Sequence, residues 1–278
     1  MVLLPILAEA GRGATRILRL SHNADPMLNS TERFSSRVDN YVKYRPSYPA
    51  AVLELLSVRC GLAATSTVAD VGSGTGILTE LLLETGAEVF AVEPNRDMRA
   101  AAERLLSDYG RFRSVPGSAE ETTLPNACVD LVTASQAFHW FDVQKARREL
   151  GRILRPRGWV ALIWNERPVE AVPLLDEYDA LLRRHAPDYD RVREMRADES
   201  KMRDFFGRRP ESAVFPNRQS FDYAGLEGRL MSSSYAPESG HPEHEPMIAG
   251  LRDLFERHRR AGKVLFPYRT LVYFGQLD

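Results

Sequence analysis

The run Thr67-Val-Ala-Asp-Val-Gly-Ser-Gly-Thr-Gly-Ile-Leu constrains this chain more than any other stretch. It reads as a buried β-strand, a glycine-rich turn and the start of a helix. Asp70 closes the strand, and Gly72, Gly74 and Gly76 fall at alternate positions around Ser73 and Thr75. Glycines tolerate positive φ and let a ligand approach the bare backbone. Such a turn at the carboxyl end of a parallel strand is where α/β folds bind nucleotide-like molecules. The dinucleotide fingerprint G-x-G-x-x-G fails because Ile77 holds the third glycine position, and the phosphate-binding loop fails for want of its lysine. A nucleoside joined to an amino acid fits this turn better than a pyrophosphate. Glu88-Val-Phe-Ala-Val-Glu93 follows as a second short apolar strand ending in a carboxylate. A carboxylate about 20 residues beyond the glycines can accept both hydroxyls of a ribose.

At 278 residues the chain has room for one large α/β domain with a modest insertion. The net charge of −1 provides no global field for nucleic acid or anionic lipid. The two cysteines, Cys60 and Cys128, lack metal-ligand spacing, so no metal and no disulfide framework is expected, and a reducing cytoplasm is the expected compartment. No run of about 18 apolar residues occurs, which argues against a transmembrane helix. Residues 1–29, apolar at first and then arginine-bearing, make a poor secretory signal. They read as a disordered or extraneous extension ahead of a folded domain at 30–278.

Along that domain, residues 30–58 are expected to form two helices that break at Arg45-Pro-Ser-Tyr-Pro49, with Phe34, Val38, Tyr41 and Tyr44 on one face. A helix after Glu93 carries Met98, Ala101, Ala102, Leu105 and Leu106 at helical spacing. Further strands are expected at 112–115, 129–134 and 159–164, and a helix at 143–154 that stops at Arg155-Pro-Arg-Gly158. Alternation of this kind predicts right-handed βαβ units and a mostly parallel sheet with helices on both faces. Beyond Trp164 the rhythm breaks. A charged helical cap is expected over 168–215, then a strand at 219–224, a helix through Met231, a loop at 237–246, a helix at 247–261 and a closing strand at 270–275.

The glycine motif resembles the first motif of class I S-adenosylmethionine (SAM)-dependent methyltransferases. Three longer strings resemble the type 11 branch and are similar to trans-aconitate-methyltransferase-like proteins. These are Tyr41-Val-Lys-Tyr-Arg-Pro-Ser-Tyr-Pro49, Ser135-Gln-Ala-Phe-His-Trp-Phe-Asp142 and Leu230-Met-Ser-Ser-Ser-Tyr-Ala-Pro237. The resemblance implies a Rossmann-like seven-stranded sheet whose last strand runs antiparallel. It also implies that Asp70, Gly72, Gly74 and Gly76 cradle the methionine part of SAM, with Asp70 orienting its ammonium. Glu93 would then hold the ribose, Pro94 and Met98 would line the adenine, and Ala119 and Glu120 would meet the adenine amino group. Ser135 and Gln136 would flank the methyl.

The expected partner is a small-molecule acceptor rather than nucleic acid or membrane. The Asn/Asp-Pro-Pro-aromatic sequence used on base amino groups is replaced here by Ser135-Gln-Ala-Phe, and neither cysteine follows a proline. A carboxylate acceptor is already ionised at neutral pH and needs cations rather than a base. Arg45 and Arg167 are candidates to grip it. His139 is the candidate general base for a hydroxyl or carbon acid. Tyr41, Tyr44, Trp140 and Tyr235 are candidates for the acceptor wall, and Tyr48 for closing over the cofactor. Two alternatives stay open: a carbon or oxygen methyltransferase of quinone-like or polyketide-like rings, and a SAM-binding sensor or scaffold without catalysis.

Overall fold

A computed structural model describes residues 37–168, 170–194 and 199–277. The expected extension at 1–29, with Phe34, lies outside the described residues. Helices α1 (Val38–Tyr44) and α2 (Ala50–Cys60) precede the first strand, separated at Arg45–Pro49 as the prolines require. The βαβ series follows with β1 (Thr67–Val71), α3 (Ile77–Glu84), β2 (Glu88–Val92), α4 (Arg96–Leu105), β3 (Phe112–Val115) and β4 (Val129–Ser135). After β4 come a single 3-10 turn at Phe138–Trp140, then α5 (Val143–Ile153) and β5 (Leu154–Glu166). The cap comprises α6 (Pro173–His185), α7 (Tyr189–Glu194) and α8 (Glu199–Phe206). The chain finishes with β6 (Glu211–Phe221), α9 (Tyr223–Met231), α10 (His244–His258) and β7 (Val264–Gly275).

The seven strands form one sheet in the order β3-β2-β1-β4-β5-β7-β6. β1 to β5 pair in parallel, and β7 lies antiparallel to both β5 and β6. Chain order reverses between β1 and β4, the position at which open α/β sheets bind ligands beyond their strand ends. Side chains alternate across the sheet with the strand period. Ala69, Val71, Val132, Ala134, Val160 and Leu162 face α5 and α8, while Val68, Leu131, Ala161 and Ile163 face α2 and α3. A third core joins α6, α9 and α10 to the first half of β7 through Tyr178, Leu226, Leu251 and Phe266.

Several boundaries differ from expectation. Arg155-Pro-Arg-Gly158 ends α5 but does not form a loop. β5 begins at Leu154, and the irregularity is absorbed by a register shift against Val129 and Leu131, with Arg157 at φ +66°. Residues 211–215 belong to β6, so the helical cap ends before them. α10 starts at His244, inside the expected loop, and β7 starts at Val264 rather than 270. Leu105 is 51% exposed, because Leu106 beyond the helix end turns inward under Gly76 instead.

A candidate methyl-transfer site beyond the strand ends

Two adjoining cavities open beyond the carboxyl ends of the parallel strands. The first, with about 250 Å³ of free space, is lined by Gly72, Gly74, Glu93, Pro94, Met98, Ala119, Glu120, Ser135 and Gln136 among others. The glycine turn makes its floor. Gly72 and Gly74 hold φ of +70° and +60°, which an L side chain adopts only with strain. They differ in surroundings. A Cβ on Gly72 would stand 2.5 Å from the Ala137 Cβ, whereas a Cβ on Gly74 would meet nothing within 4 Å. Gly72 therefore gives room to the protein, and Gly74 leaves room for a ligand. Gly76 is bare because Leu106 lies under it.

Glu93 directly follows β2, with its side chain turned back over this turn. Its Oε2 accepts from the Gly74 N–H and its Oε1 from the Asn95 N–H, both at 2.8 Å. Burial raises its pKa, and those backbone donors oppose the rise. Each carboxylate oxygen keeps a lone pair for a further donor, such as a ribose hydroxyl. The hydroxyls of Ser73 and Thr75 are buried without partners. The open space over Gly74 and a buried carboxylate with spare acceptors suit the nucleoside end of SAM.

Asp70 is placed differently from the expectation. It lies fully buried below the turn and does not line the cavity. Its two oxygens accept from Thr79 Oγ1 at 2.7 Å and Thr133 Oγ1 at 2.9 Å. Burial outweighs both bonds and lifts its pKa to about 6. Ser73, Thr75 and Gly76 also stand back from the cavity lining. Glu120 lines the cavity, but its Oε1 accepts from the Asp142 N–H at 2.8 Å, just before α5.

The second cavity is smaller, with about 100 Å³ of free space, and Tyr41, Gln136 and Trp140 line it together with the first. Gln136 occupies this partition at φ +55°, its Nε2 donating to the Asn165 carbonyl at 3.1 Å. His139, Arg45, Arg167 and Tyr235, read from the sequence as acceptor-side candidates, also line the second cavity. Tyr48 lines it rather than closing over the first, and burial raises its phenol pKa. Tyr44 does not line either cavity. Its ring fills the space left by Gly228 on α9, which makes it a packing residue.

The second cavity is cationic. Among its described lining residues none is an Asp or Glu. Arg167 has a partial counter-ion behind it: it donates to Asp179 at 2.6 Å and to Tyr189, and Asp179 is shared with Arg183. Arg45 donates to the Ser232 carbonyl at 2.7 Å, and Arg229 donates to Tyr268 Oη and Ser233 Oγ. These partners are neutral, and no ion pair of Arg45 or Arg229 occurs among the described residues. Burial and the nearby Arg229 lower the Arg45 pKa, as expected of like charges held together without a counter-ion. The Nε of Arg45 and the indole N–H of Trp164, a 2% exposed lining residue, are buried without partners.

The loop bearing Arg45 is fixed from across the sheet. Both Asn165 and Asn217 donate to the Ser47 carbonyl, and Asn165 Oδ1 accepts from Thr270. Arg229, Tyr268, Trp164 and Asn165 were not foreseen as site residues. Arg229 sits one residue ahead of the distinctive Leu230–Pro237 string, and that adjacency was the signal for it.

A methyltransferase domain model matches residues 69–162, from β1 into β5. An uncharacterized methyltransferase of Mycobacterium tuberculosis is 40% identical over 134 residues, covering 48% of this chain and 52% of the relative. The chain thus matches about half the length of that relative. A methyltransferase-like protein of Schizosaccharomyces pombe is 26% identical over 249 residues, covering 88% of this chain and 95% of the relative. A type II methyltransferase structure from Anaeromyxobacter dehalogenans superposes with a TM-score of 0.57 at 23% identity, covering 84% of this chain and 98% of that one. Strand order, glycine turn and these matches agree: residues 69–162 match a methyltransferase domain, and the chain is built on the class I SAM-dependent methyltransferase fold.

Proposed function

We propose that this protein transfers a methyl group from SAM to an oxygen of a small acidic acceptor, a carboxylate or an acidic hydroxyl. The observation that carries this reading is the pair of guanidiniums, Arg45 and Arg229, with neutral partners in a small cavity that adjoins the glycine turn. SAM, when bound, supplies an electrophilic methyl on a sulfonium. The chain's own task is then to hold donor and acceptor in line and keep water out. In this reading Glu93 takes the ribose, Pro94, Met98 and Ala119 border the adenine, and Gly74 leaves the backbone open. Arg45 and Arg229 bind the acceptor anion, Trp164 offers its unpartnered N–H to a second oxygen, and Gln136 and Trp140 form the partition across which the methyl passes. Two like charges held together are relieved by an anion, which favours an acidic acceptor over an uncharged ring.

The test is calorimetric. SAM is expected to bind the wild type and to weaken at least tenfold in Glu93→Ala, which loses the acceptors for both ribose hydroxyls. Benzoate, as an anion probe, is expected to bind the wild type and to weaken about tenfold to a hundredfold in Arg45→Gln or Arg229→Gln, with SAM affinity retained. Benzoate binding indifferent to both substitutions would remove the basis of the acidic-acceptor reading. A variant series in which acceptor turnover never appears, although SAM binds, would favour the sensor alternative.

A further inference from the structure

The acceptor cavity contains an ionisable acid as well as its arginines. Tyr235 follows α9 in the run Ser232-Ser-Ser-Tyr, and its ring stands edge-on to Tyr189 with centroids 5.1 Å apart. It shares the cavity wall with Arg45, Arg167 and Arg229. These guanidiniums come from the loop before α2, the end of β5 and α9, so the phenol is enclosed by positive charge from three elements. Among the described residues the other ionisable groups around it are the phenols Tyr178 on α6, Tyr189 on α7 and Tyr268 on β7, with Tyr41, Tyr48 and His139 elsewhere in the cavity lining. Asp179 lies one step behind them, held by Arg167 and Tyr189.

Burial alone would keep the Tyr235 phenol protonated. The Arg167 and Arg229 charges oppose burial, Ser233 and Arg45 assist them, and together they lower the phenol below its ordinary range. A buried phenol that ionises more readily than a free one, beside cations that hold its phenolate, is suited to accept a proton.

Building on the reading of this cavity as the acceptor site, we propose that Tyr235 is its proton acceptor, taking the proton of an acidic hydroxyl, a phenol or an enol, as that oxygen becomes the nucleophile. The step balances within the cavity. The acceptor O–H bond breaks, its electron pair stays on the acceptor oxygen, and the proton joins the Tyr235 phenolate oxygen. One negative charge faces the same three guanidiniums before and after, so little reorganisation is needed. After product leaves, the phenol returns its proton to solvent. A carboxylate has no proton to give. Its arrival instead cancels the guanidinium field and makes Tyr235 take a proton from solvent. His139, on the turn beside Trp140, lines the same cavity and is the rival for the role.

The experiment uses the full chain as wild type, Tyr235→Phe, His139→Gln and Arg229→Gln. Near-ultraviolet titration of wild type is expected to show a tyrosinate forming below pH 9, kept in His139→Gln, absent in Tyr235→Phe and shifted up by at least a pH unit in Arg229→Gln. At pH 8, 4-hydroxyacetophenone serves as the hydroxyl probe, because its phenolate absorbs at longer wavelength than tyrosinate. Binding to wild type should raise the probe's phenolate signal as tyrosinate falls, with little proton release to the buffer. Tyr235→Phe should release the proton to the buffer for the same phenolate. Benzoate should bind wild type with proton uptake that Tyr235→Phe lacks. Three results each overturn the proposal: no tyrosinate below pH 9 in wild type, equal proton release by wild type and Tyr235→Phe, or proton linkage lost only in His139→Gln. If benzoate binds without linkage to Tyr235, the assignment falls and the anion site stands. If neither probe binds wild type, the reading of the cavity itself falls.

Discussion

Asp70 and Glu93 are both strand-end carboxylates next to the glycine turn, yet they have different surroundings. Glu93 faces the donor cavity and accepts two backbone N–H groups, whereas Asp70 is sealed beneath the turn by two threonine hydroxyls. With its pKa raised to about 6, Asp70 binds a proton more readily in the folded protein than in the unfolded chain. The ligand-free protein should therefore lose stability as pH rises from about 4 to about 6, by up to roughly 3 kcal/mol. Asp70→Asn should flatten that part of the melting profile and raise the melting temperature at pH 7. A melting curve that keeps its slope over this range would place the burden on another group. The carboxylates themselves were legible because each closes a short apolar strand, Asp70 just before the glycines and Glu93 about 20 residues beyond them. Which one faces the cavity was not legible, since it depends on Thr79 and Thr133, residues that read in sequence as ordinary helix and strand positions. The same limit applies to Arg229, which acquires its role only where α9 meets β7.

At the scale of elements, the turn between β1 and α3 separates two functions of glycine that sequence treats alike. Gly72→Ala pushes a Cβ against Ala137 and should cost stability through the 3-10 turn that carries His139 and Trp140. Gly74→Ala carries only the strain of its positive φ, about 1–2 kcal/mol, and points into the donor cavity. Thermal melts and SAM titrations of both variants should therefore split: the first melts lower, while the second folds and loses cofactor affinity. The contact of α1 with α9 offers a parallel case. Tyr44 rests in the gap left by Gly228, so Gly228→Ala should displace α1 and weaken benzoate binding without touching the glycine turn. The βαβ series was readable in the sequence because apolar runs, prolines and glycines alternate at the period that the fold demands. The second half was harder. The length of the β6–β7 pair, 11 and 12 residues, is set by pairing with each other and with β5, and their polar outer positions hide it from local patterning.

Across the whole molecule, the acceptor cavity is assembled from distant parts of the chain. Arg45 comes from before the first strand, Arg167 from the end of β5, Arg229 from α9 and Tyr268 from the last strand. The cap contributes charge without lining the cavity, since Asp179 on α6 is the counter-ion of Arg167. Asp179→Asn should free that guanidinium, tighten benzoate severalfold and lower the pH at which Tyr235 ionises. Unchanged benzoate affinity would mean that Arg167 does not act on the cavity.

Tyr41, Gln136 and Trp140 belong to both cavities, and Gln136 occupies its place in a left-handed backbone conformation rather than a relaxed one. Any adjustment of that partition on filling one side alters the other. If SAM changes the affinity for an acceptor by some factor, the acceptor changes the affinity for SAM by the same factor. The demethylated product sits on the same partition with one carbon fewer to press against it, so the two donor forms need not communicate equally. The difference in that communication, rather than the strength with which either is held, would decide which ligand enters first and which leaves last.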